Sequence, residues 1–199
     1  DANALVDARR GFDLAPGWSR AELHIAADTY YRLHLNGVQV GRGPARSQAF
    51  WMSYDSYDVT SLLRSGRNAL AVEANGHFPP RGAFIAQLEV YAADDAPVLT
   101  VATGPDWRVI AAPGWAVKTP HTSHWDASEV FDARRTPAGW TEAEFDDSAW
   151  EAPLDRGKAL TAPYYQLEPR DIPHLEETER LADAVLEVGE VEELQDTPD

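Results

Sequence analysis

The stretch Tyr31-Arg-Leu-His-Leu-Asn-Gly-Val-Gln-Val40 decides the fold class. Large apolar or aromatic side chains stand at positions 31, 33 and 35 and alternate with polar ones, and valines resume the alternation at positions 38 and 40. A period of two is typical of a β-strand with one buried face. Asn36-Gly37 lies between the two runs, and both residues tolerate the positive φ of a type I′ turn. The stretch therefore predicts a tight β-hairpin.

The same alternation recurs on both sides of this hairpin. Glycines and prolines interrupt the runs, and helical periodicity is almost absent before Leu175. Further strands are predicted at Ala21–Ala27, Tyr54–Leu63, positions 70–72 after a polar turn at Arg64–Asn68, Phe84–Val90, Val98–Val101 and Trp107–Ile110. Many short strands with frequent turns favour an all-β, antiparallel, jelly-roll-like β-sandwich over βαβ units.

The composition excludes several classes of function. The chain has 199 residues, a formal net charge of −16 and no cysteine, which rules out disulfides, thiolate metal sites and a catalytic cysteine. Its acidity argues against binding of nucleic acid or anionic membranes, because a phosphate backbone needs lysine and arginine. No apolar run has the length of a membrane span. The sequence gives no localisation.

Charge and pattern suggest three segments. The sandwich is predicted over 18–175, after a short irregular N-terminal extension over 1–17. The last segment, 176–199, carries ten acidic residues and one basic residue, Arg180. It is interpreted as an acidic linker or the start of a next domain. Its apolar positions fit helical spacing and strand alternation equally well, so its secondary structure stays open.

Candidates for catalysis are numerous but unspecific. His121 and His124 are three residues apart, without a carboxylate pattern that would complete a metal site. Asp55 with Asp58, Glu129 with Asp132, and Asp146 with Asp147 could each form the acid pair of a glycosidase. An acidic chain supplies such pairs by chance, and turns and caps explain them more simply. Gly41-Arg-Gly-Pro44 is interpreted as a loop after the hairpin, since proline removes a donor that a phosphate cradle would need. We therefore predict no catalytic residue, no metal ligand and no cofactor, and leave room for a structural calcium ion.

Aromatic residues give the most informative signal. The chain contains seven tryptophans. Sugar rings stack on aromatic faces, and sugar hydroxyls pair with amide, imidazole and guanidinium groups. Residues of these types in or beside predicted loops are the predicted substrate-binding set: Trp51, Tyr54, Asn75, His77, Arg81 and Trp125. The alternative is that most tryptophans belong to the core or pin loops onto the sandwich.

Two groups of motifs carry a family resemblance. The stretches 31–44, 54–60 and 62–72 resemble the galactose-binding-like β-sandwich at the front of many glycoside hydrolases. The stretches Glu129-Val-Phe-Asp-Ala-Arg134, Gly139-Trp140, Phe145-Asp-Asp-Ser-Ala-Trp150 and Pro169-Arg-Asp-Ile-Pro173 follow in order, and Leu175-Glu-Glu177 comes after them. This ordered set resembles the N-terminal domain of bacterial α-L-rhamnosidases, with Phe131 where tyrosine is usual.

The resemblance implies a module without its own active site. In that family the domain is thought to assist substrate recognition, and hydrolysis belongs to a separate helical barrel. The expected function is a non-catalytic N-terminal module of an α-L-rhamnosidase-like enzyme that recognises rhamnose-containing glycans or packs on the catalytic domain. The expected partners are such a glycan and the catalytic domain of the same polypeptide. A free-standing lectin-like protein is the alternative, and this chain alone is expected to have no enzymatic activity.

Overall fold

The computed structural model of the protein describes residues 4–48, 51–76, 84–117, 119, 128–155, 157–161, 164–178 and the positions 180, 181, 183, 184, 187 and 189. In these residues the regular structure consists of ten β-strands and two single turns of 3-10 helix. The predicted all-β class is confirmed. Within the same residues, no helix is long and apolar enough to cross a membrane.

The strands follow one another with short connections where the chain is described. They are β1 (Ala4–Leu14), β2 (Arg20–Ala27), β3 (Tyr30–Leu35), β4 (Val38–Gly43), β5 (Met52–Asp58), β6 (Gly66–Gly76), β7 (Phe84–Tyr91), β8 (Pro97–Ala102), β9 (Arg108–Ala111) and β10 (Leu167–Pro169). The two 3-10 turns span Thr60–Leu62 and Ala133–Arg135.

The ten strands form two five-stranded sheets that pack face to face. The order in the first sheet is β4-β3-β6-β1-β9, and in the second it is β10-β5-β2-β7-β8. Neighbouring strands are antiparallel, except that β10 runs parallel to β5. Leu33 and Val72 of the first sheet share one buried cluster with Leu23 and Leu88 of the second. The predicted two-sheet sandwich is therefore confirmed, with one parallel pair at an edge.

Strand β1 corrects the predicted N-terminal boundary. Residues 4–14 lie inside the first sheet, hydrogen-bonded to β6 on one side and to β9 on the other. An irregular extension over 1–17 is thus the wrong description of this segment. Phe12 and Leu14 point into the core, whereas Asp7 and Arg9 lie on the opposite face and are also buried. Charged side chains at buried positions hid the strand from a hydrophobicity pattern.

The predicted hairpin is confirmed in detail. β3 and β4 pair with Leu35 opposite Val38, and Asn36 and Gly37 have φ values of 52° and 84°. The Asn36 side chain also donates a 2.8 Å hydrogen bond to Asn68 Oδ1. This bond ties the turn of the hairpin to the start of β6.

The strand predicted over Tyr54–Leu63 is too long. β5 ends at Asp58, whose carboxylate accepts a 3.0 Å hydrogen bond from the Thr60 N–H. This local bond offers the backbone an alternative to the sheet ladder, and the 3-10 turn Thr60–Leu62 follows.

The outer face of the first sheet is covered by residues 139–150. Trp140 and Trp150 pack on each other, with ring centroids 6.0 Å apart, and contact Ala71 of β6. Arg9 reaches out of β1 and donates hydrogen bonds to the carbonyls of Glu142 and Phe145, both within 2.8 Å. Trp107, in the core between the sheets, is buried as well. Three tryptophans therefore have the structural role that the sequence left as an alternative.

Candidate functional site

One end of the sandwich gathers the strand ends beside the predicted binding residues. Ala27, at the end of β2, pairs with Phe84, at the start of β7. Tyr30, at the start of β3, pairs with Asn75, near the end of β6. The start of β5 lies beside the end of β2 in the antiparallel ladder. Three connections, β2–β3, β4–β5 and β6–β7, therefore leave the sheets at this end, which we call the loop end.

The six predicted binding residues divide into two groups. His77, Arg81 and Trp125 lie outside the described residues. Trp51, Tyr54 and Asn75 lie within them, on or next to strands that end at the loop end.

Trp51 and Tyr54 differ in their availability to a ligand. Trp51 directly precedes β5, and 49% of its surface is exposed. Tyr54 lies within β5, is half-buried, and packs beside Met52 and Tyr164. Its ring also meets His24 edge-on, with centroids 5.6 Å apart. Trp51 is thus the ring that can offer a stacking face to a sugar, whereas packing occupies Tyr54.

Asn75 brings an acceptor to the same end. It pairs with Leu5 of β1 and Tyr30 of β3, and its Oδ1 atom is buried without a hydrogen-bond partner in the described part of the chain. Leaving a buried polar atom unpaired costs about 1–3 kcal/mol. A donor within reach of this oxygen would remove that cost.

A buried pair of acids lies beside Asn75 on the outer face of the first sheet. Asp7 of β1 is directly opposite Glu73 of β6. Glu73 accepts hydrogen bonds from Trp115 Nε1 at 2.8 Å and from Arg32 at 3.2 Å. Asp7 is 2% exposed, and its Oδ1 has no hydrogen-bond partner among the described residues. Burial, and then the charge of Glu73, raise the pKa of Asp7 to about 7.

The raised pKa of Asp7 predicts a pH-dependent stability. The folded chain keeps this proton between the ordinary pKa of 3.8 and about 7, whereas the unfolded chain releases it. Stability therefore falls as the pH rises through that range. We expect Asp7→Asn to raise the free energy of unfolding at pH 8 by about 2–4 kcal/mol, since one pKa unit corresponds to about 1.4 kcal/mol.

Urea unfolding between pH 4 and pH 8 measures this effect. Asp13→Asn is the matched control, because Asp13 is exposed on the same strand. An Asp7→Asn gain that is the same at pH 4 and pH 8 would contradict the assignment.

A cleft of about 520 Å³ opens beside the edge strand β4. The edge strand forms one wall, and residues of the segment 170–177 form the other. Its lining includes three guanidinium groups, Arg42, Arg46 and Arg170. Arg42 Nε donates to Glu177 at 2.7 Å, and the ring of His174 stacks on Tyr57 with centroids 4.8 Å apart. We call this the β4 cleft.

A buried cluster of hydrogen-bonded polar side chains, Asp55, Tyr31 and Arg170, lies beside the β4 cleft, and we call it the lock. Asp55 of β5 is fully buried and accepts hydrogen bonds from the Tyr31 hydroxyl and from Arg170, the latter at 3.0 Å. Burial is the largest cause that raises the pKa of Tyr31 above its usual value, so this hydroxyl stays a donor. Arg170 also donates to the carbonyls of Ile172 and Pro173. The lock fixes the segment 170–177 against the side of the sandwich.

Two glycines allow β4 to lie close over this lock. A Cβ on Gly43 would collide with the Asp55 carboxylate, and one on Gly41 would collide with the Tyr57 hydroxyl. The stretch Gly41–Gly43 belongs to β4, so the predicted loop begins only after it. Its glycines serve close packing.

The ordered motifs have structural roles in the sandwich. Asp132 caps the 3-10 turn by accepting from the Arg134 N–H, and Asp146 accepts from the Ser148 N–H. Asp147 forms a 2.8 Å ion pair with the buried Arg9. The Asp146 contact fits the predicted turn, whereas Asp147 pairs with a buried guanidinium, and Asp55 lies within β5 and bonds Arg170 rather than capping a turn. Among the described residues, no group of three or more histidines or acids is placed to hold a metal ion.

Sequence reasoning missed the residues of the β4 cleft. Arg42 lies in β4 and Arg46 follows this strand, and Glu177 lies in the segment interpreted as a linker. The available signal was Pro169-Arg-Asp-Ile-Pro173, whose arginine turned out to pair with a buried aspartate 115 positions earlier.

Comparisons with known proteins agree on one family. A sequence profile described as "Alpha-L-rhamnosidase N-terminal domain" matches residues 17–179. An alpha-L-rhamnosidase of Streptomyces avermitilis is 40% identical over 153 residues, which are 67% of this chain and 14% of that protein.

Two solved structures support the same assignment. The crystal structure of a GH78 family rhamnosidase of Bacillus sp. GL1 matches with a TM-score of 0.77 and 37% identity, over 87% of this chain and 19% of that one. The Streptomyces avermitilis alpha-L-rhamnosidase complexed with L-rhamnose matches with a TM-score of 0.62 and 38% identity, over 76% of this chain and 16% of that one.

The chain spans less than a fifth of the length of each of these relatives. Because the profile covers residues 17–179, which are most of the chain, the chain belongs to the alpha-L-rhamnosidase N-terminal domain family.

Proposed function

We propose that this chain is a non-catalytic module of an α-L-rhamnosidase-like glycoside hydrolase and that it recognises rhamnose-containing glycans. The proposal rests on one observation, namely how small a part of each related enzyme this chain matches. The family match extends over residues 17–179 but over less than a fifth of the enzymes that contain it. Such a match is expected for an accessory domain whose catalytic partner lies elsewhere in the polypeptide. It also favours a module over a free-standing lectin-like protein.

The side-chain contacts support the non-catalytic part of this proposal. A glycosidase needs two carboxylates that flank the scissile bond, one of them able to carry a proton. Asp55 is buried under Arg170 and Tyr31, and Asp58 caps a turn. Hydrogen bonds from Arg134 hold the pKa of Asp132 at about 2, so this group does not act as a general acid near neutral pH.

We expect no turnover of an aryl α-L-rhamnoside by the isolated chain. Release of the aryl group, followed by its absorbance, measures this directly. Turnover that disappears after substitution of Asp55, Asp58, Glu129 or Asp132 would contradict the proposal.

The loop end supports the recognition part. Trp51 exposes an aromatic face, and Asn75 lies at the same end with a buried amide oxygen that has no hydrogen-bond partner among the described residues. Stacking on one side and hydrogen bonding on the other is the usual combination in carbohydrate sites. L-rhamnose, the sugar with which one of the similar enzymes was solved, is the first ligand to test at this end.

Docking onto the catalytic domain is the second candidate role. Large apolar side chains are exposed on the segment that follows the covering residues 139–150: Leu154, Leu160, Tyr165, Ile172 and Leu175. Scattered exposure is normal, but such a concentration in one segment is typical of interfaces. Trp51 could equally be a buried anchor of such an interface.

The variant Trp51→Ala separates the two roles. If the loop end binds sugar, calorimetric titration of the isolated chain with L-rhamnose, with and without calcium, loses its binding heat. If the loop end is a docking surface, sugar binding stays unchanged and the full-length enzyme becomes less stable. An unchanged result in both measurements would remove the loop end from the proposal. Arg81→Ala tests a predicted binding residue that lies outside the described part of the chain.

A further inference from the structure

We propose that the β4 cleft is a second carbohydrate subsite, which takes a sugar residue that bears a carboxylate, such as a uronic acid. The inference rests on the proposed function in one respect, namely that the chain meets a glycan. Its lining differs from the proposed sugar site, because Trp51 and Asn75 are not among the lining residues of the cleft, although Arg46 belongs to one of the connections at the loop end.

The size of the β4 cleft suits a sugar. Its volume of about 520 Å³ lies in the range of small-molecule sites, about 300–1,000 Å³. Tyr30, Tyr57 and His174 are among its lining residues, and the rings of the last two pack on each other. Pro44 and Leu175 also line it. A pyranose finds both stacking and apolar contacts in such a cleft.

The charges of the β4 cleft select an acidic ligand. Arg170 is neutralised by the buried Asp55, and Arg42 is paired with Glu177. Arg46 lines the same cleft, is exposed, and has no ion-pair partner among the described residues. Within the described part of the chain, one guanidinium of the cleft therefore has no counter-ion, in a protein whose net charge is −16. A ligand carboxylate would supply that counter-ion by a charge-assisted hydrogen bond.

Glu177 shows that the β4 cleft accommodates a carboxylate. Its Oε1 lies 2.7 Å from Arg42 Nε, and both side chains remain about half exposed. The chain itself thus places a carboxylate at the mouth of the cleft, where it competes for Arg42 with any incoming anion. Removing the charge of Glu177 frees a second guanidinium for the ligand. The variant Glu177→Gln should therefore bind an acidic sugar more tightly, not more weakly.

The test is a ¹⁵N NMR titration of the whole chain with D-galacturonate, D-galactose and acetate at pH 7. We expect galacturonate to shift the amide signals of residues 39–46 and 174–177 saturably, with an affinity about tenfold above that of galactose. Arg46→Gln should weaken galacturonate binding about tenfold, and Glu177→Gln should strengthen it. Arg20→Gln is the control, since it removes the same charge from a surface pair with Glu22 and Asp95 outside the cleft.

Other results of the same titrations would overturn the subsite or its assignment to a sugar. Equal affinity for galacturonate and galactose, or unchanged binding by Arg46→Gln, would overturn the subsite. Acetate binding as tightly as galacturonate would overturn its assignment to a sugar. Titration of the same samples with L-rhamnose keeps the two proposals apart, because failure of rhamnose binding with intact galacturonate binding refutes only the role of the loop end.

Discussion

Replacing Asp55 by alanine is expected to lower the free energy of unfolding by about 3–5 kcal/mol. The substitution leaves the Arg170 guanidinium, whose side chain is 11% exposed, without its buried counter-ion. It also removes the acceptor of the Tyr31 hydroxyl. The lock that holds the segment 170–177 would open, so the loss combines an unpaired buried charge with fewer tertiary contacts. Urea unfolding followed by tryptophan fluorescence measures it.

Asp58→Ala is the matched control for this prediction. Asp58 lies three residues along in the same motif, but it is exposed and accepts a local hydrogen bond from the Thr60 N–H. The urea midpoint should fall much less than in Asp55→Ala. Equal losses in the two variants would show that the lock contributes no more than an ordinary turn cap.

Replacing Arg9 by alanine is expected to have an effect of similar size, about 3–5 kcal/mol. Arg9 is fully buried, and its guanidinium forms an ion pair with Asp147 and bonds the carbonyls of Glu142 and Phe145. Without it, these acceptors lose their donor and residues 139–150 lose their attachment to β1. We expect a lower melting temperature and faster proteolytic cleavage within 139–150.

The variant Arg10→Ala, at the adjacent position, is the control for this prediction. Its ion pair with Asp106 is largely exposed, and such surface pairs contribute about 0–1 kcal/mol. Arg10→Ala should therefore change neither the melting temperature nor the cleavage rate by much. If Arg10→Ala were as damaging as Arg9→Ala, the buried contacts of Arg9 would not be what holds the covering segment.

The sandwich was predictable where alternation is local. Leu33 and Leu35 alternate with Arg32 and His34 within one hairpin, and burial follows that pattern. β1 was missed because its outer face carries Asp7 and Arg9, which the period-two rule assigns to solvent. Their burial comes from residues more than one hundred positions later, such as Trp115 above Glu73 and Asp147 beside Arg9. A local sequence pattern contains no information on which distant residues will bury the outer face of a strand.

The candidate sites were likewise predictable only where they depend on local sequence features. Trp51 was predicted from its residue type and loop position, and the structure leaves it exposed. Tyr54 was predicted on the same grounds, yet packing with Met52 and Tyr164 occupies it. The β4 cleft depends on Arg170, which pairs with a residue 115 positions away and fixes the opposite wall. Such a cavity follows from tertiary packing, so it could be recognised only in the folded chain.

Glycan recognition by this module is tested most directly by an NMR titration of the isolated chain with L-rhamnose, with D-mannose as the control sugar and with calcium present and absent. We predict saturable shifts of the Trp51 indole signal and of the Asn75 side-chain amide, both weaker with mannose and absent in Trp51→Ala. Unshifted signals at the highest L-rhamnose concentration in both conditions would contradict the proposal, as would shifts confined to residues far from the loop end.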